Sequence, residues 1–188
     1  MKKIEKISNL TDIELCLNLA NNSDRAELAF TEIYNRYSNT LYAYILRSVN
    51  NRNDAKDIFQ ETFIRFYNFC KNGNRVTNIL PFVLKIARNL CLNYYRDKKS
   101  IVSFDETTGI LPSFIDIEKN EVSQMIENAL AMLDFLSREV FVLHHYQNLT
   151  FSEIAEIVGE SLATVKSRYY RGREKLKAIL MPFIKNDY

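Results

Sequence analysis

Apolar residues along this chain recur at three- and four-residue steps, and no segment shows the strict alternation of a half-buried strand. The pattern predicts helices and no sheet. Residues 11–22 open with Thr11 and Glu14, the spacing of a capping box that starts a helix. Phe30, Ile33, Tyr34, Tyr37, Leu41, Tyr44 and Ile45 mark one face of a long helix over 24–48. Asn50-Asn51-Arg52-Asn53 interrupts it, and Asn53 suits the N-cap of a helix over 54–70. Ala55, Ile58, Phe59, Phe63, Phe66 and Cys70 form the inward stripe of that helix, and Lys71-Asn72-Gly73-Asn74 ends it with turn chemistry. A further helix covers 79–98, with Phe82, Val83, Ile86, Leu90 and Tyr94 inward. Pro81 falls in its first turn, where a missing N–H costs nothing.

The periodicity then lapses. Residues 100–120 contain Ser103, Thr107, Thr108, Gly109, Pro112 and Ser113 and read as a linker. Shorter helices follow over 121–134, 138–146, 151–158 and 162–180, the last closed by Pro182. The expected fold is all-α: two small helical domains, 1–99 and 121–188, joined by a flexible linker over 100–120. No internal repeat is present.

Composition narrows the class. The 188 residues include only four glycines and three prolines, far below the roughly 12% these two make up in an average chain. That scarcity excludes a loop-rich barrel, a low-complexity tail or a collagen-like array. An apolar share of 47% is enough for packed cores. No apolar stretch approaches the roughly 18 residues of a membrane span, and no apolar run follows the charged start Met-Lys-Lys-Ile-Glu-Lys. The expectation is therefore a cytoplasmic protein without membrane insertion. Cys16, Cys70 and Cys91 are odd in number, far apart and set in apolar helical patterns, so they read as buried, reduced thiols.

Net charge is only +2, but its distribution is uneven. Residues 85–99 carry five cations against one carboxylate, residues 101–121 one cation against five carboxylates, and residues 162–180 six cations against one carboxylate. Basic charge gathered on particular segments is the footprint of nucleic-acid contact, or of a solvated helix face.

Residues 150–173 resolve that choice. Thr150 and Glu153 form a capping box ahead of Ile154, Ala155, Ile157 and Val158. Gly159 falls where a left-handed residue ends a helix. Ser161 then caps a second helix, with Leu162, Val165 and Leu176 placed to face a core. Two short helices about a tight glycine turn, the second basic, make a helix-turn-helix, whose second helix fits the major groove. Thr164 and Ser167 bring short hydroxyls near base edges. Lys166 and Arg168 add cations there, and Arg168 can fork onto guanine or grip a phosphate. Arg171, Arg173 and Lys175 suit backbone phosphates.

These residues and two upstream segments resemble bacterial RNA polymerase sigma factors of the extracytoplasmic-function class. Asp54-Ala55-Lys56-Asp57-Ile58-Phe59-Gln60-Glu61-Thr62-Phe63 resembles the family's polymerase-binding helix. Ile86-Ala87-Arg88-Asn89 and Tyr94-Tyr95-Arg96 resemble its helix that meets the minus-ten element. Ser137-Arg138-Glu139-Val140-Phe141, Leu149 to Ala155 and Thr164-Val165-Lys166-Ser167-Arg168 resemble its minus-thirty-five domain. Three such segments in order and spacing are a strong match.

The resemblance implies a promoter-specificity subunit that supports promoter melting, with core RNA polymerase (the β′ clamp helices and the β flap) and promoter DNA as partners. An anti-sigma protein is a further partner that the family implies. The residue types agree with each role. Asp54, Asp57, Glu61, Arg65 and Asn68 lie opposite the apolar stripe of their helix, bordered by Gln60, as an acidic docking face. Lys85, Arg88, Asn89, Arg96 and Lys99, joined by Tyr95, lie outward on the next helix. Cations grip phosphates, amides read base edges and aromatics stack on unpaired bases for about 1–3 kcal/mol each, which helps offset unpairing. The family implies that the loop over 72–78 captures a flipped base, for which Asn74 and Arg75 supply polar groups. The chain departs from the family in having Phe82 where Trp is frequent, Ala163 before Thr164, and Gly172 inside the recognition helix, which costs roughly 1 kcal/mol of helix propensity.

No catalytic signature is present: no phosphate-binding loop, no H-E-x-x-H and no C-x-x-C. Gly159 to Ala163 only approaches a nucleophile elbow, which needs a preceding strand. His144 and His145 are adjacent and diverge by about 100° on a helix, so they read as core or boundary residues rather than as one metal site. The expectation is a non-enzyme without cofactor or metal. A stand-alone dimeric repressor remains the alternative, although it leaves the acidic 54–70 face and the basic 85–99 helix without a task.

Overall fold

The computed structural model of the chain describes residues 7–20, 24–49, 51–101 and 121–184, with the side chains of 24, 98–101, 121 and 184 left out of that description. Among the described residues the structure is all-helical: α1 Asp12–Ala20, α2 Asp24–Val49, α3 Arg52–Lys71, α4 Ile79–Ile101, α5 Glu121–Ala131, α6 Phe135–His145, α7 Phe151–Val158 and α8 Leu162–Ile184. The chain divides into two compact units, Met1–Ser100 and Ile101–Tyr188. Ser100 and Ile101 are the last residues of α4, while 102–120, the rest of the expected linker, lies outside the described residues.

Several boundaries shift, each for a local reason. The cap of α3 is Asn51, not Asn53: its Oδ1 accepts the backbone N–H of Asn53 at 2.9 Å and of Asp54 at 3.1 Å. Asn53 is thereby drawn into the first turn. Asp134 starts α6 ahead of the expected position by accepting the Ser137 N–H at 3.0 Å. Pro182 does not close α8, which continues to Ile184. Close to a helix end a proline forfeits few backbone bonds.

In the N-terminal unit, Leu15, Cys16 and Leu19 of α1 are buried with Ile33, Leu41, Tyr44 and Ile45 of α2, Phe63, Phe66 and Cys70 of α3, and Ile79, Val83, Ala87 and Cys91 of α4. The α4 stripe is turned from the expected one. Phe82, Ile86, Leu90 and Tyr94 are only half-buried, because small Ala87 and Cys91 form the face that approaches the core. Phe82 lies at the rim, its ring 4.7 Å from that of Phe69. Tyr34, expected inward, is exposed and packs against Phe63 at 5.3 Å and Phe59 at 6.0 Å between ring centres.

The Thr11–Glu14 capping box opens α1 as expected: Glu14 accepts the Thr11 N–H at 2.8 Å and the Thr11 hydroxyl at 2.9 Å. Asp12 docks α1 on its neighbours. Its carboxylate accepts the Tyr37 hydroxyl of α2 and the Ile79 N–H at the start of α4, both at 2.7 Å. Arg36 stands 3.7 Å away. Burial, then the Asp12 carboxylate, push the Tyr37 hydroxyl up to about 12.

In the C-terminal unit, Ala129, Leu130, Leu133 and Leu176 form a buried cluster wrapped by Ile126, Phe141, Ile179 and Leu180. Gly172 is buried against α6: a Cβ there would lie 3.4 Å from Ser137 Cβ and 3.6 Å from Leu133 Cδ1. Val140, Leu143, Ile154, Ile157, Val158 and Val165 fill the space beneath the helix-turn-helix. Leu162, expected to face the core, is 41% exposed because it begins the helix and nothing covers it.

Candidate nucleic-acid and polymerase interface

The expected docking strip lies on α3, with Asp57, Gln60 and Arg65 exposed and Glu61 half-exposed. Glu61 pairs with Arg65 one turn on, Oε1 to Nε 2.6 Å, so the strip presents a paired charge beside Asp57 and Gln60. Asp54 does not join it. Its carboxylate accepts the Tyr94 hydroxyl of α4 at 2.7 Å, so Asp54 ties α3 to α4. Ile64 lies in the middle of the strip, one turn past Gln60, with 53% of its surface exposed. Attention to polar residues alone misses it. Its position seven residues after Asp57 is the available signal.

On α4, Lys85, Asn89 and Arg96 are exposed and Arg88 is half-buried. Arg96 lies 3.5 Å from Asp97, with three quarters of its side chain in solvent. Of Lys99 the helical backbone alone is described. The outward placement of Tyr95 needs correction. Its hydroxyl donates to the Ser48 carbonyl near the end of α2, and its ring packs edge-on against Tyr94. A carbonyl of the last helical turn lacks an intrahelical donor, and the phenol supplies one.

The loop between α3 and α4 begins at Gly73, whose φ of 81° carries the chain away from the helix. Asn74 and Arg75 are both exposed there. The Asn74 amide donates to the Phe69 carbonyl at 3.0 Å, while Val76 next to them is buried.

The helix-turn-helix forms as the sequence indicates. Thr150 and Glu153 make both halves of the capping box, and Gly159 takes the left-handed conformation at φ 70°. The Gly159 and Glu160 N–H groups then both donate to the Ala155 carbonyl. The Ser161 hydroxyl accepts the Thr164 N–H at 3.1 Å and lies 2.8 Å from the Thr164 hydroxyl, so Thr164 is engaged in the cap. Lys166, Ser167, Tyr170 and Arg171 form an exposed strip along α8, with Arg173 exposed beside it. Tyr170, 52% exposed, was absent from the cation-and-hydroxyl reading of this helix. Arg168 is held instead by Glu160 of the turn, at 3.0 Å, with only 14% of its side chain exposed.

Aromatic rings seat α8 on α6 and α7. Tyr169 stacks on His145 and lies edge-on to His144 and Phe151, and its hydroxyl is 2.9 Å from His145 Nε2. His144 stacks on Phe151 and bonds the Leu149 carbonyl at 2.8 Å. The two rings thus serve packing at the boundary of the unit. Partial burial, then His144 and Arg173, lower the His145 pKa below the ordinary imidazole value.

Among the described residues no helix is long and apolar enough to cross a membrane, and no His/Cys/Asp/Glu cluster has the makings of a metal site.

Comparison with known proteins matches both units. The family described as Sigma-70 region 2 covers residues 33–101, and Sigma-70, region 4 covers residues 123–176. The chain is 30% identical over 164 residues to the ECF RNA polymerase sigma factor SigW of Bacillus subtilis (strain 168), spanning 79% of this chain and 87% of that one. It is 28% identical over 158 residues to SigM of the same organism, spanning 81% and 95%. Two solved structures share the fold. CnrH in complex with the cytosolic domain of CnrY gives a TM-score of 0.68 at 22% identity, over 91% of this chain and 97% of that one. The sigma factor RpoE in complex with the anti-sigma factor NepR from Bartonella quintana gives 0.65 at 20%, over 81% and 96%. An all-helical chain that carries both regions in order, and that spans most of SigW at this identity, belongs to the extracytoplasmic-function sigma factors, the family that serves promoter-specific transcription initiation with RNA polymerase.

Proposed function

We propose that this chain docks on core RNA polymerase through the α3 strip, reads the minus-thirty-five element with α8, and holds the melted minus-ten strand with α4 and the loop before it. The observation that carries the reading is the exposed run of Lys166, Ser167, Tyr170 and Arg171 on a helix opened by a left-handed glycine and a serine cap. That arrangement suits a helix laid in the major groove, with cations on phosphates and a hydroxyl at base edges. The minus-ten role rests on Lys85, Arg88, Asn89 and Arg96, together with Asn74 and Arg75. Tyr95 supports α4 from beneath and is not proposed as a stacking platform.

The polymerase contact is proposed for Asp57, Gln60, Glu61 and Arg65, with Ile64 as its apolar centre. A half-exposed apolar side chain ringed by polar groups is the usual make-up of an interface anchor. The partners proposed are the β′ clamp helices, the β flap, promoter DNA and an anti-sigma protein, the last supported by the complexes in which the fold relatives were solved. The setting proposed is the cytoplasm, and no chemistry of its own is assigned to the chain.

The test is titration of the full chain against bacterial core RNA polymerase, followed by native gel. One-to-one binding that is lost on replacing Asp57, Gln60 and Glu61 with Ala, in a variant of unchanged circular dichroism, is the expected result. Unchanged binding by the folded variant removes the α3 assignment. Failure of the wild-type chain to bind polymerase while binding a duplex unaided favours an independent DNA-binding regulator.

A further inference from the structure

The three cysteines have no place in the surfaces described above, yet two of them meet. Cys16 of α1 and Cys70 at the end of α3 are 54 residues apart in sequence, and their sulfurs are 3.5 Å apart. Both are buried, at 1% and 0% exposure, and neither is in a disulfide. Packing alone asks only for two small apolar residues here. A sulfur on each of two separate helices, in contact with the other, is also the starting geometry for a dithiol to close.

The surroundings divide the labour between the two. The Cys70 thiol donates toward Cys16, and with the backbone N–H of Val76 this lowers the Cys16 pKa against the opposing effects of burial and Asp12. Cys70, as donor and buried, is pushed the other way. Cys16 is therefore the sulfur that ionises first, and the thiolate is the reactive form. Access depends on α1, which has nine residues and is seated by buried Leu15 and Leu19 and by the Asp12 hydrogen bonds. Opening of so short an element bares the sulfurs without global unfolding, and a peroxide is small enough to use that opening.

We propose that Cys16 and Cys70 form an oxidisable pair that closes to an intramolecular disulfide under a peroxide, joining α1 to α3 at the root of the loop over 72–78. The Cys16 thiolate attacks one peroxide oxygen, the O–O bond breaks, and hydroxide leaves. The resulting sulfenic acid is then attacked by the Cys70 sulfur, which gives up its proton as the sulfenic oxygen departs as water. The proton released when Cys16 ionised converts the hydroxide to water. Two thiols lose two electrons in all, and one peroxide is reduced to two waters.

The test treats the full chain with hydrogen peroxide under native conditions, then denatures it, alkylates it and maps its peptides. The expected result is a chain lighter by two hydrogens, joined Cys16 and Cys70 peptides, alkylation confined to Cys91, and reversal by dithiothreitol. Cys91→Ser closes the same bridge. Undiminished alkylation of Cys16 or Cys70, a bridge to Cys91 or between chains, or a sulfinic acid in place of the bridge overturns the pair.

Discussion

Gly172 sits in the middle of α8, where a glycine is costly, and the structure shows how Ala would be received. Replacing a helical glycine by alanine recovers about 1 kcal/mol of backbone entropy and solvation. Against this stands the fit of the new methyl group. It would meet Ser137 Cβ at 3.4 Å, the Ser137 carbonyl oxygen at 3.5 Å and Leu133 Cδ1 at 3.6 Å. These are ordinary contact distances, each worth about 0.1–0.2 kcal/mol of attraction, so nothing must move and the propensity gain dominates. We expect Gly172→Ala to stabilise the C-terminal unit by about 1–2 kcal/mol, which corresponds to a factor of about 5–30 in its folded ratio. Hydrogen exchange on the full chain reads this directly. The slowest amides of α8 should slow by that factor, while those of α2 and α3 in the other unit serve as an internal reference and stay unchanged. Exchange in α8 that is unaltered or faster would refute the reasoning, because it would mean that the α6–α8 approach is closer than a methyl group tolerates.

Other perturbations test other parts of the structure. Asp12→Ala strips the Tyr37 hydroxyl and the Ile79 N–H of their acceptor, and at about 1–3 kcal/mol for each stranded group should destabilise the N-terminal unit by about 2–6 kcal/mol in urea unfolding; a loss under about 0.5 kcal/mol would show that water replaces the carboxylate. Ile64→Ala should weaken binding to core polymerase about tenfold, the scale of a modest interface anchor, and equal affinity in the same titration would remove Ile64 from the interface. The lowered His145 pKa fixes a sign for pH: between the folded value and the ordinary one near 6.5 the unfolded chain binds more protons, so stability rises with pH there and falls on acidification. Exchange in the C-terminal unit should quicken from neutral pH down through that window, once corrected for intrinsic rates, and His145→Gln should flatten the trend.

Local signals were legible where a few neighbouring residues decide the outcome. Thr11 with Glu14, Thr150 with Glu153, and Gly159 with Ser161 each specify a helix end through their own hydrogen bonds, and each appears as read. Asn53 was read as the cap of α3; Asn51, of the same chemistry, takes that place because it adopts the extended backbone. The facing of α4 was legible only in part: Val83 is buried as read, but Phe82, Ile86 and Leu90 are as apolar as Ile79, Leu84 and Cys91. Only the close approach permitted by Ala87 and Cys91 selects between the two stripes. The candidate surfaces were legible as strips of residue type, but not in the partners that side chains take across the fold. Asp54 belongs to Tyr94, Tyr95 to Ser48 and Arg168 to Glu160, and pairings of that kind join elements whose packing the periodicity does not reveal.

The Glu160–Arg168 pair bears on how strongly the isolated chain grips DNA. Arg168, one of the cations expected to meet the minus-thirty-five element, is held by a carboxylate across a 3.0 Å contact, with most of its surface covered. A duplex must either break that contact or approach with Glu160 still beside it, and in both cases one positive charge is largely cancelled. Each phosphate that a protein neutralises contributes about −0.9 to the slope of log affinity against log salt. Glu160→Gln keeps the size and an amide oxygen for Arg168 but removes the cancelling charge. The variant should therefore bind duplex DNA more tightly at low salt, with a slope steeper by about 0.9, while the Ser161 cap and the helicity of α8 are retained. A slope equal to the wild type would mean that Arg168 points its charge away from the phosphates, and its part in the surface would then be to brace the turn against the recognition helix.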